Sequence, residues 1–291
     1  MGTITNKIQR IVNALSQIQP NQAPAAGTAK ITIMPLPSNG GVTKDVREVT
    51  FPLFNSSGNP VLEEVKQSPH ISNCPVASIL AAHAFTAVGK TLIKGLVPPP
   101  TTANVLTDVS ALPPGTLANP PPGNKISSSR YFTVNLPGGP KEVSDVLYTD
   151  DADSGWSLIY MRDPGDKSLW AAIIEKALAV EIGSYENFDA LPMKANDWWK
   201  KITGVDPHGI SVKANTPFTQ IIGAAQDSAT VPSIGASKDD LPIGGKVSGN
   251  HGYSMIGMQG SKIHLYDPAK AIKQLLSPTE FRDNFQAILF P

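Results

Sequence analysis

The sequence of 291 residues holds a single cysteine, which excludes an intramolecular disulfide and any zinc site built on several cysteines. Charge is scarce too: 16% of residues are charged and the formal net charge is zero. A basic footprint for nucleic acid and electrostatic attachment to anionic membranes are therefore not expected. No apolar run approaches the ~18 residues of a membrane span. No contiguous apolar stretch near Met1 reads as a standard secretory signal, which leaves a cytoplasmic protein and a delivered one both open. Met1-Gly2-Thr3-Ile4-Thr5-Asn6 lacks the Ser or Thr that myristoylation wants at the sixth position. What the chain does have is proline (27) and glycine (24), and so many turns and long connections rather than a helical bundle.

Apolar spacing marks out the elements. Ile4, Ile8, Ile11, Val12, Leu15 and Ile18 predict an amphipathic helix over 3–18, and the Pro-, Ala-, Gly- and Gln-rich residues 19–30 read as a flexible linker. Residues 1–45 thus form an appendage, either a surface helix packed on the body or a docking segment for a secretion chaperone. A second amphipathic helix is expected over 74–88, with Asn73 as N-cap, Pro75 in its first turn and Gly89 as terminator. His83 shares a face with Val76, Ile79 and Leu80 and reads as a packed core histidine. Three proline clusters make 98–125 a long irregular loop.

Tyr131–Leu136 alternates like a strand. Asp150, Asp151, Asp153 and Ser154 read as an acidic turn, solvated or, as the alternative, calcium-binding. Ser168 is expected to cap a helix over 169–182 closed by Gly183. Gly252–Gly257 and Lys262–Asp267 predict two strands turning at Gly260, and a helix over Pro278–Asn284 precedes a strand over Gln286–Phe290. The fold class is α+β, with a helix-rich part over 46–204 and a β-rich part over 205–291.

The chemistry-bearing residues fall on both parts. Cys74 opens a helix, where the positive end of the helix dipole favours thiolate over thiol. His251 lies in Gly249-Asn250-His251-Gly252-Tyr253-Ser254, and Asp267 in Ile263-His264-Leu265-Tyr266-Asp267-Pro268. Cysteine, histidine and an acid are one way to build a covalent hydrolase. A cysteine on the first part and a histidine and acid on the second put the expected site in a cleft between them.

Several segments resemble the protease core of the calpains. Leu169-Trp170-Ala171-Ala172-Ile173-Ile174-Glu175-Lys176-Ala177, followed by Gly183-Ser184-Tyr185-Glu186, is similar to the calpain run Leu-Trp-x-x-Leu-Leu-Glu-Lys-Ala and Gly-Ser-Tyr-Glu. Pro52-Leu53-Phe54, Gly58-Asn59-Pro60 and Val65-Lys66-Gln67 lead to Cys74 much as in the calpain nucleophile region. Gly249–Ser254 resembles Gly-His-Ala-Tyr-Ser, and Ser277-Pro278-Thr279-Glu280-Phe281 resembles the closing segment of that core. The resemblance covers residues 48–291. His264–Pro268 and Leu276-Ser277-Pro278 also look like bacterial papain-fold peptidases that use Cys-His-Asp.

The resemblance implies a papain-like, two-lobe cysteine protease fold and peptide-bond hydrolysis. It makes Cys74 the nucleophile, His251 the general base and acid, and Asp267 the residue that orients the imidazole, where calpains use asparagine. It makes Gln67 the oxyanion donor beside the backbone N–H of Cys74. Six residues separate Gln67 from Cys74 where the family has five. Pro75 replaces a bulky aromatic residue, and Asp267-Pro268-Ala269 replaces Asn-Pro-Trp. Glu175 is expected to be a structural anchor.

The expected function is thus a thiol endopeptidase acting on protein or peptide substrates without metal or cofactor, a divergent and bacterial calpain-like enzyme of the toxin or effector kind. Two alternatives stay open: a glutamine deamidase or transglutaminase on the same triad, and an inactive binding module on a protease fold.

Overall fold

The computed structural model describes residues 45–98, 105–106, 129–152, 155–165, 167–242 and 244–291. The expected helix over 3–18, the linker over 19–30 and the chaperone-docking segment lie outside these residues, as do Asp153, Ser154 and most of 98–125. Helix and strand are mixed along the chain, in keeping with an α+β fold. In order come strand β1 (Asp45–Glu48), helices α1 (Cys74–Phe85) and α2 (Ala87–Leu96), and strands β2 (Val105–Leu106), β3 (Ser129–Leu136), β4 (Gly139–Ser144), β5 (Val146–Ala152) and β6 (Gly155–Leu158). Helices α3 (Trp170–Ile182), α4 (Asn187–Ala190) and α5 (Ala195–Thr203) precede β7 (His208–Ser211), α6 (Phe218–Asp227) and β8 (Ser233–Ser237). The chain closes with β9 (Gly252–Gln259), β10 (Lys262–Asp267), β11 (Ile272–Leu276), α7 (Pro278–Asn284) and β12 (Phe285–Phe290).

The last six strands form one antiparallel sheet in the order β11-β10-β9-β8-β12-β7. Two three-stranded sheets, β1-β5-β6 and β2-β3-β4, belong to the first half. Strand alternation gives the large sheet two apolar faces. One face sends Ile234, Ile256, Tyr266 and Leu289 into a core shared with α1, α2, α3 and α5. The other sends Tyr253, Met255, Ile263, Leu265 and Ile288 into a second core with Ile221 and Ala225 of α6 and Phe281 of α7. The sheet is therefore sandwiched, with α1 on one side. Tyr266 Oη donates to Val65 O (2.8 Å), Gln67 N to Pro268 O (2.8 Å) and Ser254 Oγ to Ser78 O (2.8 Å). These three bonds tie the segment around Cys74 to the β9–β10 pair.

Several local expectations are corrected. The helix from Cys74 ends at Phe85, and the chain bends by 118° into α2. Thr86 closes the first helix through its N–H and caps the second through Oγ1, which accepts from Gly89 N (3.1 Å). Gly89 lies inside α2 and is no terminator. A Cβ there would sit 2.3 Å from the His83 carbonyl oxygen, so the tight fold-back requires glycine. α1 is buried all round rather than amphipathic: Val76 through Ala84 are inaccessible, because two cores meet on it.

Asn73 makes no side-chain cap; its amide Nδ2 donates to Glu175 Oε1 instead. Ser168 does not cap α3, whose N-cap is Leu169; its hydroxyl is turned to Asp163 Oδ2 at 3.4 Å. Gly183 does end α3, in the left-handed region at φ 100°. Asp150 and Asp151 lie in β5, paired with Ser157 and Trp156, and not in a turn. No single helix among the described residues is long and apolar enough to cross a membrane.

Candidate active site

Cys74 is the first residue of α1 and is half-buried. His251 immediately precedes β9 and Asp267 ends β10. These strands pair antiparallel, with Tyr266 opposite Ser254, so the start of one and the end of the other lie at the same end of the sheet. The N-terminal turn of α1 is pressed against that end. A Cβ on Gly252 would stand 2.6 Å from Ser78 Oγ and 3.2 Å from Cys74 O. Only glycine lets helix and strand approach this closely.

The imidazole of His251 donates through Nε2 to Asp267 Oδ1 at 3.0 Å. Its other nitrogen, Nδ1, is left for the cysteine side. The side chain is 8% exposed and that of Asp267 is inaccessible. Burial disfavours the imidazolium, but hydrogen bonding to Asp267 and Cys74 and the charges of both outweigh it and raise the His251 pKa to about 9. Asp267 moves the other way. Burial would raise its pKa, yet the hydrogen bond and charge of His251, with Lys270, hold it below the usual carboxylate value. The pair is thus an imidazolium–carboxylate pair at neutral pH.

Asp267 is held by its own turn as well. Oδ1 also accepts from Ala269 N (3.0 Å) and Lys270 N (3.4 Å). Oδ2 is buried without a hydrogen bond, and Lys270 Nζ lies 3.6 Å from it. Where the calpain pattern has a tryptophan two residues after the orienting side chain, this chain has Ala269 and places a cation beside the aspartate one residue later.

The loop carrying His251 is latched to β8. Ser237 Oγ accepts from His251 N (2.9 Å) and donates to Ser248 O (2.7 Å), while Ser237 N donates to His251 O (2.9 Å). Tyr253 stands edge-on to the imidazole, ring centres 4.8 Å apart, and its hydroxyl accepts from Ser248 N (2.7 Å). Asn250 and Ala271 are the two non-glycine residues of positive φ among the described ones, 47° and 54°. They sit in the turns beside His251 and Asp267, so local backbone strain is concentrated there. Ser237 and Lys270 are parts of the site that sequence reasoning missed. Ser237 acts across a tertiary contact, and Lys270 acts from within the turn that follows Asp267, three residues on.

Behind Cys74 lies a buried carboxyl. Glu175 of α3 is inaccessible, accepts from Met161 N (2.7 Å) and meets the Asn73 amide. Burial raises its pKa to about 8, against the two hydrogen bonds that lower it. Asn73 Nδ2 donates to Glu175 Oε1, and Asn73 Oδ1 is buried without a hydrogen bond. Asn73 is thereby fixed one residue before the thiol. His83 is a core residue, as expected: inaccessible, bonded through Nδ1 to Ile79 O (2.8 Å), and pushed down to about 4 by burial.

Cys74 and His251 line a cavity of about 490 Å³. Its apolar wall is the sheet face of Ile234, Ala236, Ala287 and Leu289, opposite Met193–Asn196 ahead of and at the start of α5. Gln67 is not among its lining residues. It faces a second depression of about 520 Å³, and its Oε1 is buried without a partner. The structure thus brings Cys74, His251 and Asp267 together and turns Gln67 toward the neighbouring depression. Among the described residues no group of three or more His, Cys, Asp or Glu side chains is arranged to hold a metal ion.

No protein-family model and no curated protein matches the chain.

Proposed function

We propose that this protein is a thiol endopeptidase of papain-like, two-lobe architecture, related to the calpain protease core. In this reading Cys74 attacks a peptide carbonyl and His251 carries the proton to the leaving amine. An acyl-enzyme remains, and water activated by His251 releases it while Asp267 orients the imidazole. The observation that carries the proposal is the 3.0 Å bond from His251 Nε2 to Asp267 Oδ1, with His251 and Cys74 lining one cavity. The helix bearing Cys74 and the antiparallel sheet bearing His251 and Asp267 support the two-lobe reading. The open, partly apolar cavity supports an extended substrate. Gln67 and the Cys74 N–H are the proposed oxyanion donors, and Gln67 reaches that role by turning its amide out of the neighbouring depression.

The test is to incubate the protein with a proteome and sequence the new chain termini, with Cys74→Ala as control. New termini that vanish in Cys74→Ala support peptidase action. Intact chains with converted glutamine side chains would instead identify a deamidase or transglutaminase.

A further inference from the structure

The loop that carries His251 does not close like the rest of its sheet. β8 and β9 pair antiparallel up to Ala236 and Gly252, and Ser237 meets His251 one step further on. Antiparallel partners of the hydrogen-bonded kind exchange both N–H···O=C bonds. Ser237 and His251 exchange one: Ser237 N donates to His251 O at 2.9 Å, while Ser237 O accepts from Gln286 Nε2 at 2.7 Å. The acceptor for His251 N is a side-chain atom, Ser237 Oγ, at 2.9 Å. The same oxygen donates to Ser248 O at 2.7 Å and lies 3.1 Å from His251 O.

Ser248 is held from a second side. Its N–H donates to the Tyr253 hydroxyl at 2.7 Å, so both main-chain groups of Ser248 are taken by side chains. Both side chains belong to buried residues, Ser237 at the end of β8 and Tyr253 within β9. Tyr253 also stands edge-on to the imidazole. Between Ser248 and His251 the chain is tight. Asn250 has φ 47° and donates to Lys238 O at 2.8 Å, and a Cβ on Gly249 would stand 2.7 Å from Asp239 O. Backbone of this kind keeps its shape only where its surroundings over-determine it.

We propose that Ser237 and Tyr253 are positioning residues that act as one clamp: by holding Ser248 from both sides and His251 by its N–H, they keep the imidazole in place for Cys74 and Asp267. The clamp's part in the reaction rests on the thiol-peptidase reading, while the clamp itself rests on the bonds to Ser248 and His251. The groups that face the imidazole are Cys74 of α1, Asp267 of β10 with Lys270 in its turn, and Tyr253 of β9, and Asp239 and Lys194 line the same cavity. The hydrogen bonds and charges of Cys74 and Asp267 hold the His251 pKa up at about 9. An imidazole freed from its place loses part of both.

The clamp is tested on Ser237→Ala, Tyr253→Phe and the double variant, with histidine labelled for NMR and His251 assigned by the signal missing from His251→Gln. Tyr253→Phe removes one oxygen and keeps the ring, so a second variant remains if Ser237→Ala fails to fold. In each single variant the His251 pKa should fall from about 9 toward 6.5. A fall of about one unit, tenfold in proton affinity, is expected. Either loss frees Ser248, so the double variant should fall by less than the sum of the two. Cys74 alkylation at pH 7 should slow in the same variants.

Side chains that serve stability alone would lower the urea midpoint and leave the His251 titration and the alkylation rate where they are, and that result would overturn the proposal. Shifts that add in full would show two separate contacts and overturn the single clamp. Neither readout needs a substrate. A proteome digest with no Cys74-dependent cut would count against the peptidase reading, while the titration still decides the clamp.

Discussion

His251 and Asp267 depend on each other, and the sign of that dependence can be worked out. The folded pKa of His251 is about 9 against an ordinary 6.5, so its contribution to stability is full below 6.5 and is lost as pH rises through 9. Asp267 is lowered from 3.8, so its contribution is full above 3.8 and is lost as pH falls through the folded value. The pair is at full strength between about 3.8 and 6.5. Asp267→Asn should therefore cost most stability in that window and least above pH 9, as read by denaturant unfolding of both proteins across pH. An equal cost at all pH values would show that the residue acts by packing alone. Turnover should fall as pH rises through about 9, where His251 loses the proton it gives to the leaving group. Cys74→Ala should lower turnover by on the order of 10³-fold or more while leaving the near-UV circular dichroism unchanged; activity within a few-fold of wild type would remove Cys74 from the reaction. Lys270 sharpens the picture, since its ammonium stands 3.6 Å from the unpartnered Asp267 Oδ2. Lys270→Met removes a positive charge that holds the Asp267 pKa down, so the loss of stability on acidification should move to higher pH at low salt. The shift should shrink at high salt, because Lys270 is half-exposed.

At the scale of elements, the site depends on how closely α1 meets β9. Gly252→Ala puts a methyl group 2.6 Å from Ser78 Oγ and 3.2 Å from Cys74 O, so helix or strand must move. Overpacking of this kind costs about 1–3 kcal/mol, and one of the crowded atoms, the Cys74 carbonyl oxygen, belongs to the residue bearing the thiol. Urea unfolding should show that loss together with slower Cys74 alkylation. Adding Ser78→Ala should restore part of both, since it removes the nearest clash and leaves the Cys74 carbonyl. A Gly252→Ala protein as stable and reactive as wild type would mean the contact is looser than described. The sequence made strands over 252–257 and 262–267 legible, the first of which runs on to Gln259, because alternation and a glycine turn are local signals. It showed the helix at Cys74 but not its break. Nothing between 74 and 88 disrupts helical spacing, and the bend follows from the Thr86 cap and the close approach at Gly89, which only the tertiary fold creates. The same reason hid the true use of Asn73, Ser168 and Ser237. Each has a side chain suited to capping or turning locally, and each spends it on a partner remote in sequence or on a loop carboxylate. Cys74, His251 and Asp267 were legible as residue types in a familiar order, while their distances depend on the pairing of β9 with β10.

At the scale of the molecule, the question is what holds the helix of Cys74 against the sheet of His251 and Asp267. Calpain cores are assembled by calcium, and part of that apparatus lies between the orienting residue and the closing Ser-x-x-x-Phe segment. On the proposed resemblance that stretch would be Pro268–Leu276 here, which contains no acid. It forms the turn that binds Asp267 and then the edge strand β11. Calcium takes ~6–8 oxygen ligands, usually with several carboxylates, and this stretch cannot supply them. Asp150 and Asp151 belong to strand β5. The joint is made by other means. Tyr266 Oη reaches Val65 O, Gln67 N reaches Pro268 O, Ser254 Oγ reaches Ser78 O, and Ile234, Ile256, Tyr266 and Leu289 of the sheet complete the core around α1. These contacts need no ion to form. Cys74 alkylation should therefore proceed at the same rate in excess chelator and in millimolar calcium, and turnover of any substrate found by terminus sequencing should be equally indifferent. A rate that collapses in chelator and returns with calcium would mean that metal assembles the site after all, through residues other than those of the Asp267 turn.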